Sequence, residues 1–531
     1  MNHFFNGRAN KKIQVILLST LLVVGLLTSF QARASDSSYK DPIEVTRNEE
    51  EGTLTVRTEL ADYLFSLTGG NLRSIFLYFS SFRTNKAEII PGTTIDPETM
   101  ETSFMEGARF PGELDIGGES DKEVQYEASV PDGVHRDELS ITLTGEHKGM
   151  AVEKTYTLYN DPNYTFGVNI KINNESGEAV NLSEGTVMYL GTRTKPPESD
   201  NVDYLSNPTT KYIFDGEVSN GKLATGSYNQ FNATGFVGDD LVLFLKMGNP
   251  YESLEEPHGQ GTAPYTANQS VGVNLFQDTL GSGETREFQF SIYGGRRRHV
   301  LLSNVGLAEI DETGFFSKVL VPVIQFLNQL YRLTGNYAWA IILFTVLIRV
   351  LLYPLMRNMY RSMAKMQELQ PKIKKIQDKY DDKEKQQKKM MALYKEEDVN
   401  PMGGCLPMFI QLPILILLWR AIMYSAEAIH LSPGFLWMND LSLADPYYIL
   451  VVLTVATMII QQQMMSPAGG GSQNKIMSYG FPLFMGIFLR DFPAGLWLYY
   501  FLTQIFMIGQ QAFINWEMEQ AEAKKEAKEA G

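Results

Sequence analysis

The spacing of apolar positions changes several times along these 531 residues, and each change marks a different kind of element. After Arg8, Lys11 and Lys12 comes a largely apolar run from Ile13 to about Phe30. It reads either as a first membrane helix with its positive end inside or as a secretory signal, since Ala32, Arg33, Ala34 and Ser35 form a small-x-small cleavage pattern. Both readings export the segment C-terminal to it. From about Pro42 to Arg298 the pattern shortens to alternating or wholly apolar runs broken by Gly, Asn, Asp and Pro, as in Thr53 to Thr58, Leu139 to Leu143, Thr165 to Ile172 and Leu241 to Lys246. Such runs predict a large all-β sandwich.

Between Thr313 and Leu333 the period lengthens. Phe315, Phe316, Val319, Leu320, Val323, Ile324, Leu327, Leu330 and Tyr331 recur at helical spacing, with Lys318, Gln325, Asn328, Gln329 and Arg332 on other faces. This predicts an amphipathic helix lying along the outer membrane interface, stopped by Gly335 and tethering the β domain to the bilayer. Five apolar spans come next, at about 336–356, 406–426, 447–465, 476–490 and 495–514. With the first helix retained the chain has six spans and two cytoplasmic termini. The fourth of the five has about 15 apolar residues before Arg490, short of the roughly 20 that a bilayer core requires, so local thinning of the bilayer is expected there. Residues 357–400 predict two helices joined around Tyr380 to Lys385. Their apolar seam is rich in methionine, at Met356, Met359, Met363, Met366, Met390 and Met391. Beyond the seam itself, these soft side chains suit a landing surface for varied apolar partners.

Charge sets the orientation. Residues 31–335 carry 24 Lys+Arg against 44 Asp+Glu, so the rest of a chain of net charge −15 is net positive. Residues 357–400 hold 12 Lys+Arg against 8 Asp+Glu, whereas the loop from Glu427 to Pro446 has neither Lys nor Arg. Basic segments stay in the cytoplasm, so the acidic β segment is outside and the hairpin inside. A single cysteine, Cys405, allows no intrachain disulfide, and with six scattered histidines no metal site or cofactor is expected.

The residue that asks for a function is Arg349, a lone arginine inside the 336–356 span. A charge at that depth costs between about 2.5 and over 10 kcal/mol, depending on how far snorkelling and water relieve it. Seven residues, or roughly 10 Å, separate it from Met356, so snorkelling to the cytoplasmic interface is one reading. An ion pair has no partner, because the other spans hold Asp or Glu only at their ends. They hold Gln411, Tyr500, Thr503 and Gln504, while Thr345 sits one turn before Arg349 on its own helix. An arginine among neutral hydrogen-bonding groups points to a wet cavity in the membrane.

The run Asn400-Pro-Met-Gly-Gly-Cys-Leu-Pro-Met-Phe-Ile-Gln-Leu-Pro413, with Tyr353-Pro-Leu355, Met363-Ala-Lys-Met366, Leu369-Gln-Pro-Lys372 and Pro493-Ala-Gly-Leu-Trp-Leu-Tyr-Tyr500, closely resembles the YidC membrane-protein insertases. The resemblance is strong over residues 313–514 and architectural upstream, where it matches the Gram-negative type with a large periplasmic domain. It implies these parts: an N-terminal membrane helix or signal-like segment (1–30), a periplasmic β-sandwich (31–312), an interfacial helix (313–335), a five-helix insertase core (336–514) containing the cytoplasmic hairpin 357–400, and a cytoplasmic tail (515–531). It implies a hydrophilic groove open to the cytoplasm and to lipid and closed outside, with Arg349, Thr345 and Tyr500 matching the groove residues and Gln411 and Gln504 beside them. It also implies an apolar client slide that includes Met408, Leu412 and Pro413, with Phe481, Met485 and Phe488.

The implied partners are nascent membrane proteins, membrane lipids, the Sec translocon and the ribosome, with one copy of the chain sufficing. The tail from Asn515 has three Lys against five Glu, unlike strongly basic tails, so ribosome contact would fall to the hairpin. The competing class is a transporter or channel with Arg349 as its anion site, but the five spans show no internal repeat. An intramembrane protease would need paired aspartates, a Ser/Lys pair or His-Glu-x-x-His, and none is present. A lipid-assembly scaffold built on the β domain is the third alternative.

Overall fold

The computed structural model describes residues 41–529 apart from 81–84, 97–98, 100, 195–198, 200, 206–207, 215–216, 221–232, 248–262, 268–269, 312–314, 381, 398–405 and 466–478. The expectations for the first helix, its cleavage pattern and Cys405 therefore lie outside the described residues. The described residues divide into two compact units, one within Lys40–Lys318 and one within Val319–Gly531.

The first unit is β-rich. Its largest sheet has nine strands in the order Glu127–Ser129, Glu138–His147, Met150–Tyr159, Thr165–Asn174, Thr285–Arg296, Leu241–Met247, Ala233–Val237, Thr209–Phe214 and Glu217–Asn220. Its longest hairpin closes at Lys148 and Gly149, whose φ angles of 55° and 71° give the mirror-image turn that matches strand twist. Strict alternation buries Met150, Val152, Lys154, Tyr156 and Leu158 on one face. A six-stranded sheet covers that face, in the order Glu44–Asn48, Thr53–Arg57, Ala61–Ser66, Asn71–Leu77, Lys86–Glu88 and Val202–Tyr204. Between the two sheets Tyr63 meets Phe166 edge-on at 5.9 Å between centroids, and Phe65 meets Tyr156 at 4.9 Å. These are the inward positions of alternating strands, so the layer is a sandwich core.

Ionisable groups sit inside that core, among them Lys154, Asp121 and Glu88. Lys154 donates to Asp121 Oδ2 at 2.5 Å and to the Gly69 carbonyl at 2.7 Å, with both side chains fully buried. Glu88 is buried where Lys86–Glu88 meets Asn71–Leu77. It accepts from Ser74 Oγ at 2.5 Å and from the backbone N–H groups of Ile90 at 2.8 Å and Ile75 at 3.2 Å. Burial outweighs these bonds and pushes the Glu88 carboxyl up to about 7. A raised pKa in the fold means that the native state holds its proton more tightly than the unfolded chain does. The favourable contribution is then complete below about pH 4.5 and lost as pH rises to about 7, roughly 3 kcal/mol over that window. Glu88→Gln is expected to remove this slope. The check is the midpoint of β-domain unfolding followed from pH 4.5 to 8, where the gap between wild type and variant should widen with pH in the variant's favour.

The second unit is helical. The helix predicted near 313–333 is α1, Phe315–Thr334, and Gly335 ends it with φ of 68°. Next, α2, Tyr337–Glu368, runs through Pro354 and past the expected span end at Met356. The first arm of the hairpin is therefore partly an extension of α2. The helix breaks at Leu369 because Pro371 cannot donate the next hydrogen bond, and α3, Gln370–Lys379, starts there. The returning arm is α4, Lys383–Glu396, capped by Asp382, whose carboxylate accepts from Glu384 N.

After the hairpin come α5, Leu406–Tyr424; α6, Ile449–Met465; α7, Phe481–Phe488; and α8, Ala494–Glu529. Among the described residues only Tyr337–Met359 is long and apolar enough to cross a membrane by itself, while Ile410–Tyr424 and Ile449–Met464 are shorter apolar helices. The expected span at 495–514 is the first part of a longer helix that continues through the acidic tail to Glu529.

The hairpin methionines divide. Met359 is buried with Met356 against Ile514 of α8, so it serves packing between α2 and α8 and offers nothing to a passing partner. Met390 is half-buried and Met391 exposed, whereas the side chains of Met363 and Met366 lie outside the described residues.

Candidate functional site

The site is built where α2, α5 and α8 come together. At one end of this bundle, where α2 and α8 begin, the chain is tied tightly. Asn336 caps α2 by accepting from Ala338 N at 2.8 Å, and its amide donates to the carbonyls of Pro433 and Gly434 at 3.0 and 3.1 Å. Asp445 does the same for α6, accepting from Leu450 N at 2.7 Å and from Trp437 Nε1 at 2.9 Å. At the start of α8, a methyl group placed on Gly495 would lie 3.0 Å from Ile341 Cδ1 and 3.2 Å from the Leu441 carbonyl, so a side chain there would have to push its neighbours back by a few tenths of an ångström. These ties hold together the end of the helical unit where α2, α6 and α8 begin.

Further in, the three helices turn polar residues toward one another. Arg349 of α2 is 3% exposed, Thr345 and Thr503 are fully buried, and Gln411 and Gln504 are nearly so. Arg349 Nη2 donates to Gln411 Oε1 of α5 at 2.6 Å. Gln411 Nε2 in turn donates to the hydroxyl oxygen of Tyr499 on α8 at 2.8 Å. Thr345 spends its hydroxyl proton on the Ile341 carbonyl at 2.7 Å, one turn back on its own helix. Gln504 Oε1 is buried without a hydrogen-bond partner among the described residues, so an acceptor is left over in the same region.

Sequence reasoning brought Arg349 and Gln411 together as the structure does. Both tyrosines meet this set: the hydroxyl bonded to Gln411 belongs to Tyr499, and Tyr500, named from the sequence, is hydrogen-bonded to Gln504. The two tyrosines differ by one helical step, about 100° of rotation, and only the helix phase separates them. Tyr499 is buried and Tyr500 half-buried, and Thr503 and Gln504, one turn on from each, are both buried. Among the expected slide residues Leu412, Pro413, Phe481 and Phe488 are exposed and Met485 is half-buried, while the side chain of Met408 lies outside the described residues.

At the opposite end, two further arginines join α2 to α8. Arg357 and Arg361 both bind Glu517, the latter at 2.9 Å, and the arginine beside it holds the Glu517 carboxyl below its usual range. Part of the basic charge at the base of the hairpin is thus already matched. No group of three His, Cys, Asp or Glu side chains is placed to hold a metal ion among the described residues.

Residues 329–522 match the family described as 60Kd inner membrane protein, and residues 53–238 match the YidC periplasmic domain. The chain is 31% identical over 506 residues to the membrane protein insertase YidC of Neisseria gonorrhoeae, with 89% of each covered. It is 32% identical over 400 residues to that of Methylobacillus flagellatus, covering 73% of this chain and 71% of the relative. A solved structure of an active YidC insertase with its first transmembrane domain resolved aligns at 21% identity and a TM-score of 0.49, over 92% of this chain and 96% of that one.

The class so defined is an inner-membrane protein with a β-rich periplasmic domain and a helical membrane region. The chain belongs to the YidC family of membrane protein insertases.

Proposed function

We propose that this chain inserts and folds newly made inner-membrane proteins, receiving each client at a polar groove between α2, α5 and α8 and releasing it sideways into lipid. The observation that carries the reading is Arg349, buried within an apolar helix and hydrogen-bonded to the neutral amide of Gln411. A neutral partner holds the guanidinium in place without cancelling its charge, and in a low-dielectric site that charge attracts acidic residues near a client's translocated end. Thr345, Gln504 and the Tyr499/Tyr500 pair supply hydroxyls and amides that hydrate the passing segment. The exposed apolar faces carrying Leu412, Pro413, Phe481, Met485 and Phe488, together with Met408, form the slide along which the client helix reaches the bilayer. Burial of its apolar surface in lipid drives the step, so no nucleotide is consumed.

In this reading the chain crosses the membrane six times, with hairpin and C-terminus cytoplasmic, and works alone or beside the Sec translocon. The exposed Met391 and the basic positions of α3 and α4 face the ribosome. Photo-crosslinkers placed at positions 345, 349, 411 and 499 are expected to capture a ribosome-stalled nascent membrane protein, while one at Met359 stays silent because that side chain packs against α8. Capture from Met359 and none from the four groove positions would overturn the reading.

A further inference from the structure

We propose that Tyr499 is a positioning residue for Arg349, acting through Gln411. The inference rests on the reading of Arg349 as the charge that attracts clients. A guanidinium has five N–H donors and no acceptor, so the amide beside it must turn its carbonyl oxygen toward the arginine. This leaves the Gln411 NH2 group pointing the other way, into the interior against α8, where it needs an acceptor. The Tyr499 hydroxyl oxygen supplies one at 2.8 Å, from a ring that is 1% exposed and fixed by its packing. Without that acceptor the amide loses its reason to keep one face on Arg349, because the two ends of a glutamine amide are nearly the same size. A flipped amide would set N–H donors against N–H donors and push the guanidinium away. The three side chains come from three different helices, so the chain Tyr499–Gln411–Arg349 also fixes where on α2 the charge is presented.

The test is a double-substitution cycle in the full-length protein, reconstituted in vesicles of inner-membrane lipids. Two model clients are used, identical except that one carries two aspartates in its translocated segment and the other two asparagines. The readout is the ratio of their insertion rates, which a general loss of folded protein does not move. Tyr499→Phe keeps the ring and deletes only the hydroxyl. It is expected to lower the acidic-to-neutral ratio about fivefold in the wild-type background and to leave it unchanged in a Gln411→Leu background, where there is no amide left to orient. An equal effect of Tyr499→Phe in both backgrounds, or none in the wild type, overturns the positioning role. Arg349→Ala, run in parallel, separates the two levels: if it leaves the ratio unchanged, the groove-charge reading fails and this inference fails with it.

Discussion

Arg349→Ala is expected to reduce insertion of clients with acidic translocated segments by at least tenfold, while Arg349→Lys keeps most of the activity. Two unit charges at 4 Å attract by about 4 kcal/mol at an effective dielectric of 20, which sets an upper limit near a thousandfold for the loss. The tenfold floor allows for a client that meets the charge at longer range and through water. Lysine retains the charge on a flexible stem but forfeits the planar fork that bonds Gln411, so it loses some placement and none of the attraction. Insertion measured for a series of clients with zero to three acidic residues should show the alanine defect growing with acidic count. A flat defect across the series would assign Arg349 to packing, and no defect would remove it from the mechanism.

Features were legible in the sequence where their physical signal is local. The apolar period marked α1 and α2, because a helix face is written in residues three and four apart. Arg349 stood out through its cost alone, and Gln411 through being one of few polar residues in its span. The boundaries were harder. Pro354 invites a stop after the first span, yet α2 continues to Glu368, and it is Pro371 that interrupts the backbone ladder. That Tyr499 is the tyrosine bonded to Gln411 depends on the rotational phase of α8, which is set by contacts with α2 and α5 that no local pattern encodes. Met359 misled for the same reason, since its spacing fits a hairpin seam and its real neighbour, Ile514, is far along the chain. The acidic tail is a similar case: Glu517 reads as a departure from basic tails until it is seen between Arg357 and Arg361.

The β domain offers the second large effect, and its signal was in the sequence for a reader of strand alternation. In Met150–Tyr159 the inward positions run Met, Val, Lys, Tyr, Leu, which places a lysine where only apolar groups are expected. Asp121, 33 positions earlier, is its partner, and it also accepts from Tyr126 Oη at 2.8 Å and from Leu114 N at 2.9 Å. The lysine's ammonium lies 4.5 Å from the Tyr126 ring centroid. Burial holds Lys154 below the usual lysine range, with the Asp121 carboxylate opposing that shift.

Breaking one side of such a pair leaves an uncompensated charge in the core, at a cost of about 3–5 kcal/mol, whereas replacing the pair as a whole is often neutral. Lys154→Met is therefore expected to destabilise the β domain by about 3–5 kcal/mol, with Asp121 left ionised among apolar neighbours. Adding Asp121→Asn should recover most of that loss, because an asparagine keeps one oxygen to accept from Leu114 N, turns its NH2 to donate to the Tyr126 hydroxyl oxygen, and carries no charge. Urea unfolding of the full chain, followed by tyrosine fluorescence of the β domain, measures both. Equal midpoints for Lys154→Met and the double variant would show that lost packing, not the stranded carboxylate, sets the cost, because the asparagine removes only the charge.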